Sequence, residues 1–325
     1  MLTELRSRAR IVPIDATGHG GRWPLPQRID VVLADGHAEL PVSAAPVVAQ
    51  IHEAGWFEPG LRAVLNPDFL DAIERTTERS VRAATHVITP SESARRDVLA
   101  LYGLDPGRVH AVAHGLDPAF TPEAGGGPAL VARARARDAP PAPYVLYAAI
   151  LHPRKNLATL REAMARLAEQ GFPHLLVVAG RPAPDGSDVI ALERAAVAEL
   201  PHAPGRVVFM GQPSDVQLAA LMAGADAYCL PSLYEGFGLT VLEAMACGTP
   251  VVVSDRGALP EVVGEAGVVV EPESCAVAAA LAMLLPDPQR ARRLGAAGAE
   301  RAARFTWERT ADGWLQVLLA AGETV

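Results

Sequence analysis

Along the chain, short uninterrupted apolar runs alternate with longer segments in which apolar residues recur every three or four positions. The pattern is most regular between Tyr144 and Ser254. Apolar runs at Tyr144 to Ile150, Leu175 to Ala179, Val207 to Met210, Ala227 to Leu230 and Pro250 to Ser254 are separated by helix-period segments. Those segments cover Asn156 to Glu169, roughly Val189 to Leu200, Ser214 to Ala223 and Leu239 to Cys247. Short runs without polar alternation fit strands covered on both faces. Strand and helix in strict succession predict a parallel, doubly wound sheet, whose ligands bind beyond the carboxyl ends of the strands.

The preceding part of the chain repeats this rhythm less completely. Arg10 to Ile14, Val47 to Ile51, Thr85 to Thr89 and Arg108 to Val112 read as strands. The helix expected from Pro67 to Ala84 turns Phe69, Leu70, Ile73 and Val81 to one face. Ser91 can cap the next helix, with Arg95, Arg96 and Asp97 toward water and Val98, Leu99 and Leu101 inward. The stretch Thr121 to Pro143 is dominated by Gly, Pro, Ala and Arg and reads as a linker. The expected organisation is a domain over 1–120, a linker over 121–143, a second domain over 144–304 and a closing helix over 305–325. Thr306 would cap that helix and Leu315, Val317 and Leu318 would line its apolar face. Gly18-His19-Gly20-Gly21 reads as a turn, because Trp23 stands where a dinucleotide fingerprint needs its third glycine.

Composition narrows the function classes. Of 325 residues, 50% are hydrophobic, 5% aromatic and 20% charged, which fits a globular α/β enzyme of two domains. Against 37 acidic side chains stand 29 basic ones, a net charge of −8, so nucleic acid is excluded as an expected partner. Arg133, Arg135 and Arg137 read as a solvated connector rather than a binding patch. Three cysteines, Cys229, Cys247 and Cys275, without metal-binding spacing, point to a reduced, cytoplasmic protein. No apolar run approaches the roughly 18 residues of a membrane span, so any membrane contact is expected to be peripheral, at the inner face. His110 and His114 are four apart on a strand and loop, which does not place them on one face as a helix would; no metal site is expected.

The chemistry concentrates in Pro231-Ser232-Leu233-Tyr234-Glu235-Gly236-Phe237-Gly238-Leu239-Thr240-Val241-Leu242-Glu243 and the following Cys247-Gly248-Thr249-Pro250. A buried strand delivers a loop whose glycines allow close backbone approach, and a helix opening near Gly238 aims free N–H groups and its positive dipole end into the crevice. That is an anion site suited to a diphosphate. Glu235 precedes this helix and Glu243 lies about one turn inside it, so the two carboxylates can serve opposite ends of one elongated ligand. A charged carboxylate accepting hydroxyl hydrogen bonds contributes roughly 1.5–3 kcal/mol for each.

These residues resemble glycosyltransferase family 4, the retaining enzymes of the two-domain GT-B fold whose signature is two glutamates separated by seven residues. The resemblance extends from about Asp30 to Trp314. It implies two Rossmann-like domains, a nucleotide-sugar donor, a hydroxyl acceptor on a sugar or lipid-linked sugar, and no cofactor. By resemblance, Lys155 in Leu151-His152-Pro153-Arg154-Lys155-Asn156 contacts the donor diphosphate, with Arg154 near enough to stand in for a family arginine absent at Ile150. Glu235 positions the sugar and Glu243 the ribose, and Met210, Gly236, Phe237, Gly238 and Leu239 complete the donor site. His52, in Ala49-Gln50-Ile51-His52-Glu53, matches the family's strand-end histidine that serves the donor sugar from the first domain, and Asp117 matches a structural position at the crossover. The expected roles are catalytic for Lys155, Glu235 and His52, with acceptor deprotonation by a donor phosphate oxygen. Likeness to mannosyl-transferring members favours a guanosine-linked mannose.

Family members normally carry a first strand, a glycine-rich loop and two further units before the point where this chain begins to match. The first domain therefore reads as incomplete. A start assigned too far downstream, a shortened chain and a subfamily completed by a partner subunit all account for that. Two other readings keep the same fold: a non-catalytic nucleotide-sugar-binding subunit and a nucleotide-sugar epimerase.

Overall fold

A computed structural model describes residues 30–36, 45–57, 59–62, 67–135, 142–183, 189–198 and 206–323. The strand expected at Arg10 to Ile14, the turn at Gly18 to Gly21 and Arg137 lie outside the described residues. The chain divides into two compact units, one of Met1–Gly115 with Phe305–Val325 and the other of Leu116–Arg304.

In the first unit, strands β1 (Val32–Asp35), β2 (Val47–Gln50), β3 (His86–Thr89) and β4 (Val109–Ala111) form one parallel sheet in that spatial order. Helix α1 (Pro59–Arg62) is a single turn. Helix α2 (Pro67–Ala83) covers one face, with Leu70 and Val81 packed among Ala49, Ile51, Trp56 and Val87. Helix α3 (Glu92–Tyr102) begins where Ser91 Oγ accepts a hydrogen bond from Ala94 N at 3.0 Å. Val98, Leu99 and Leu101 face inward as expected. Arg95 turns back to the sheet instead of to water, because its guanidinium donates to the carbonyls of Val109 at 2.7 Å and Pro106 at 3.0 Å.

In the second unit, β5 (Tyr144–Ala148), β6 (Leu175–Ala179), β7 (Val207–Gly211), β8 (Ala227–Leu230), β9 (Val251–Ser254) and β10 (Val268–Val270) make a six-stranded parallel sheet in the order β10-β9-β8-β5-β6-β7. From β5 the chain builds outward through β6 and β7, then crosses back to lay β8 against the other side of β5. Read from β7, this is the 3-2-1-4-5-6 order of dinucleotide-binding folds. All residues of β5, β6, β8 and β9 are buried, which is why their sequences read as unbroken apolar runs.

The segment 121–143, expected to be a linker, contains helix α4 (Gly127–Arg135). It packs on helix α7 (Asp215–Ala223), which a Ser214–Gln217 capping box opens. Here the small residues let two helices approach: a Cβ on Gly127 would sit 2.2 Å from the Ala220 carbonyl oxygen. Helices α5 (Leu157–Glu169) and α6 (Val189–Ala198) follow β5 and β6, and α8 (Leu239–Ala246) follows β8. Helices α9 (Leu259–Val263), α10 (Ser274–Leu284) and α11 (Pro288–Ala302) complete this unit. The closing helix α12 (Trp307–Gly322) belongs to the first unit. It starts at Thr306, whose side chain accepts from Arg309 N, and buries Trp314 and Val317 against Val48 and Ile88, with Leu318 packed alongside.

Among the described residues, no helix is long and apolar enough to cross a membrane.

Candidate functional site

The reversal of strand order between β5 and β8 opens a crevice at their carboxyl ends, where ligands of such sheets bind. Both loops that meet there carry the residues singled out above. After β5 the chain makes a 3₁₀ turn over Pro153–Lys155, opened by His152 Nδ1 accepting from Arg154 N at 3.0 Å. After β8 it enters the loop Pro231 to Gly238. The loops are tied by Leu233 N donating to the Arg154 carbonyl at 2.8 Å and by Arg154 Nη1 donating to the Tyr234 carbonyl at 2.8 Å.

Between these ties sits a buried ion pair. Lys155 Nζ donates to both carboxylate oxygens of Glu235, each at 2.7 Å, and Ser232 Oγ donates to Glu235 Oε1 at 2.7 Å. Arg154 Nη1 lies 3.6 Å from Glu235 Oε2. Only 5% of Glu235 is exposed. Burial pushes its carboxyl upward, but the charges of Lys155 and Arg154 and the hydrogen bonds from Lys155 and Ser232 outweigh that and hold it below the ordinary carboxylate value. Three protein hydrogen bonds thus reach the carboxylate, and its immediate partner is Lys155.

A third segment fixes the Glu235 backbone. Ser254 Oγ donates to the Ser232 carbonyl at 2.5 Å, and Ala258 N donates to the Glu235 carbonyl at 2.8 Å. Gly257, at φ +56°, lies so close that a Cβ there would stand 2.3 Å from the Glu235 carbonyl oxygen and 2.8 Å from its nitrogen. Ser254 and Gly257 carry no mark in the sequence, because their importance comes from a loop that meets the Glu235 loop only after folding.

Gly238 opens α8 in a left-handed conformation at φ 101°, which a side chain would strain, and a Cβ would meet Leu259 Cδ2 at 2.6 Å. Gly236 and Phe237 are buried in the same loop, while Leu239 at the first helical position is 39% exposed. The first turn is steadied by the Tyr228 hydroxyl, 2.8 Å from both the Ala148 carbonyl oxygen and Thr240 Oγ1. Glu243 is half-buried one turn in; burial, then the charges of Asp215 and Asp117, push its carboxyl up to about 8. Near neutral pH this favours the protonated carboxyl, which both donates and accepts. Met210 is half-buried near the end of β7, which is separated from β5 by β6.

His52 belongs to the first unit. It follows β2, is exposed, and has its Nδ1 3.5 Å from Gln50 Nε2 and its ring centroid 6.2 Å from that of His114. Burial, with a contribution from His52, pulls His114 down to about 4. His110 pairs with His86 across β3 and β4, Nε2 to Nδ1 at 3.0 Å, rather than with His114. Among the described residues, no group of three or more His, Cys, Asp or Glu side chains is arranged to hold a metal ion.

One compositional signal marks the centre of this site. Of the 29 basic side chains in the chain, Lys155 is the single lysine; all others are arginine. A chain that uses guanidinium everywhere else keeps a compact ammonium at one place, and that place is the buried pair with Glu235. The two groups differ in shape and hydrogen-bond geometry and do not substitute freely.

Comparisons with known proteins agree with this geometry. Residues 132–301 match the family described as Glycosyl transferases group 1, and residues 18–120 match Glycosyltransferase Family 4. An MMP alpha-(1->4)-mannosyltransferase of Mycolicibacterium hassiacum is 34% identical over 72% of this chain and 54% of its own length. A D-inositol 3-phosphate glycosyltransferase of Stackebrandtia nassauensis is 36% identical over 73% and 55%, respectively. The chain thus spans little more than half the length of these curated relatives. The solved structure of sucrose-phosphate synthase from Thermosynechococcus elongatus superposes with a TM-score of 0.71 at 29% identity, covering 87% of this chain and 70% of that one. Anabaena HepE in complex with UDP and glucose gives a TM-score of 0.67 at 21% identity, covering 86% and 71%. With its Lys155 and Glu235 loops at the switch point of a parallel sheet and the family match spanning more than half its length, the chain belongs to the group 1 glycosyltransferases of GT-B fold.

Proposed function

We propose that this protein transfers a hexosyl group from a nucleotide-diphosphate sugar to a hydroxyl acceptor, with retention of anomeric configuration. The observation that carries the reading is the placement of an ammonium and a helix N-terminus at one switch point: Lys155 after β5, Gly238 opening α8 after β8. Both favour an anion, and a diphosphate is long enough to use both. Glu235 takes two of the three Lys155 protons. The third is the one assigned to the departing diphosphate, whose negative charge grows in the transition state and is stabilised there more than in the bound donor.

In this reading Glu235 works first by holding Lys155 in place and setting the course of the Gly236 to Gly238 backbone along the donor sugar. Glu243, mostly neutral, hydrogen-bonds the ribose. Arg154, Met210, Phe237 and Leu239 complete the donor site. His52 is assigned to the donor sugar by family resemblance. Acceptor deprotonation falls to a phosphate oxygen of the donor. The names of the mannosyl-transferring relatives support mannose as the sugar. Titration calorimetry with guanosine- and uridine-linked sugars, followed by transfer assays and NMR of the anomeric proton of the product, tests this. One nucleotide sugar is expected to bind best and to yield product of unchanged configuration. Equal affinity for nucleoside mono- and diphosphates, or an inverted product, would overturn it.

A further inference from the structure

Asn156 stands immediately after the turn that carries Lys155. It is the one non-glycine residue with positive φ among the described residues, at φ 54°, ψ 44°. The left-handed conformation reverses the chain between the 3₁₀ turn and α5, and the backbone N–H closes the turn by donating to the Pro153 carbonyl at 2.9 Å. Glycine adopts that shape without strain, and asparagine tolerates it. Backbone shape alone does not call for asparagine.

The carboxamide supplies what glycine lacks. Nδ2 donates to the carbonyls of Pro231 at 3.1 Å and Pro272 at 3.3 Å, and Oδ1 accepts from Thr159 Oγ1 at 2.9 Å. The orientation of the amide follows from its partners, since two carbonyl oxygens can only accept. Pro231 begins the loop that carries Glu235, and Pro272 follows β10. One side chain therefore ties the Lys155 loop to the Glu235 loop and to a third crossing, while Thr159, from the first turn of α5, fixes the amide itself.

We infer that Asn156 is a positioning residue for transfer, holding the Lys155–Glu235 pair in register by clamping the two loops that bear it. The inference rests on the transfer reading above for its kinetic consequence, but not for its structural one. A clamp that fails lets the pair drift, and a displacement on the order of 1 Å costs about 10²-fold in turnover. Substrate affinity, spread over many contacts, moves less.

The test uses Asn156→Gly, which keeps the backbone shape and removes the carboxamide. Because the chain has one lysine, acetic anhydride labelling read by peptide mass spectrometry reports Lys155 alone, with the chain's terminal amine as internal reference. Labelling of Lys155 is expected to accelerate at least about threefold, with kcat falling by about tenfold or more and the donor KM changing little. Unchanged labelling of Lys155 overturns the inference. If N156G does not fold, Thr159→Val removes only the bond to Oδ1; faster labelling supports the clamp and an unchanged rate refutes it. Absence of transfer by the unmodified protein with every donor would defeat the functional reading and leave the labelling result to decide the clamp.

Discussion

The buried pair of Lys155 and Glu235 makes a quantitative prediction about coupling. With side-chain exposures of 15% and 7% and two contacts of 2.7 Å, removal of either partner strands a charge where water hardly reaches. Breaking such a pair from one side costs about 3–5 kcal/mol. In K155A the orphaned Glu235 keeps Ser232 and the more distant Arg154, which places the cost toward the lower end, about 3 kcal/mol. E235Q leaves Lys155 unpaired and costs a similar amount. The double variant strands neither charge, so its loss is expected to fall short of the sum by about 2–3 kcal/mol. No tryptophan falls within the second unit, Leu116–Arg304, so tryptophan fluorescence does not report it. Hydrogen exchange against urea, read on peptides from β5 and β8, does. Additivity within about 0.5 kcal/mol would refute the reasoning. The sign with pH is also set. Because the folded Glu235 carboxyl is held below its ordinary value, the stability it contributes is present above the unfolded value and is lost as pH falls through the folded one. The gap between the unmodified protein and K155A should therefore close in acid.

Activity should show the same coupling. K155A and E235Q are each expected to lose roughly 10²–10³-fold in turnover, and the double variant little more than the worse of the two, because residues acting as a unit are not additive; a multiplicative loss would count against a shared role. Lys155→Arg should not restore wild-type kcat, staying at least about tenfold below it, since a guanidinium paired bidentately with Glu235 is longer and planar and does not place a compact, freely directed third donor where the ammonium stands; wild-type turnover in K155R would remove the significance given to the lone lysine. Gly257→Ala should destabilise the second unit by about 1–3 kcal/mol, given the positive φ and the clash with the Glu235 backbone; thermal unfolding measures it, and an unchanged Tm would contradict the close approach. For Glu243, whose carboxyl is pushed up to about 8, ionisation penalises the folded state. Stability should fall as pH rises from the unfolded carboxylate range to about 8. The Tm advantage of Glu243→Gln over the unmodified protein should accordingly grow across that range, and a pH-independent difference would oppose the assignment.

Much of the second unit was legible from the sequence, because strands covered on both faces leave unbroken apolar runs and Tyr144 to Ser254 consists of such runs at regular spacing. Strand β1 escaped, being a short edge strand with Leu33 and Asp35 outward. Helix α4 lies within the segment whose glycine, proline and alanine read as a linker, when the packing on α7 depends on their small size. Helix α10 is apolar on nearly every side, and α11 buries only Gly295, Gly298 and Ala302, so neither shows a stripe of large apolar residues. Of the site, Lys155, Glu235 and the opening of α8 are marked by glycines and charges in a recognisable local order. Ser232, Ser254, Gly257 and Asn156 are not. Ser254, Gly257 and Asn156 act on loops distant in sequence, and no local pattern records that Asn156 reaches Pro272 or that Gly257 lies against Glu235. The upward shift of the Glu243 carboxyl is not legible for a related reason, since its burial and the nearness of Asp215 and Asp117 arise only in three dimensions.

The solitary lysine has a further experimental consequence. An endoproteinase specific for lysyl bonds can cut this chain at one position only, between Lys155 and Asn156, inside a 3₁₀ turn held by the Glu235 loop. Cleavage by such a protease requires the turn to unlatch, so its rate is a direct clock of local opening at that spot. Two fragments on a gel, appearing more slowly as a ligand is added, would read out occupancy without any sugar chemistry.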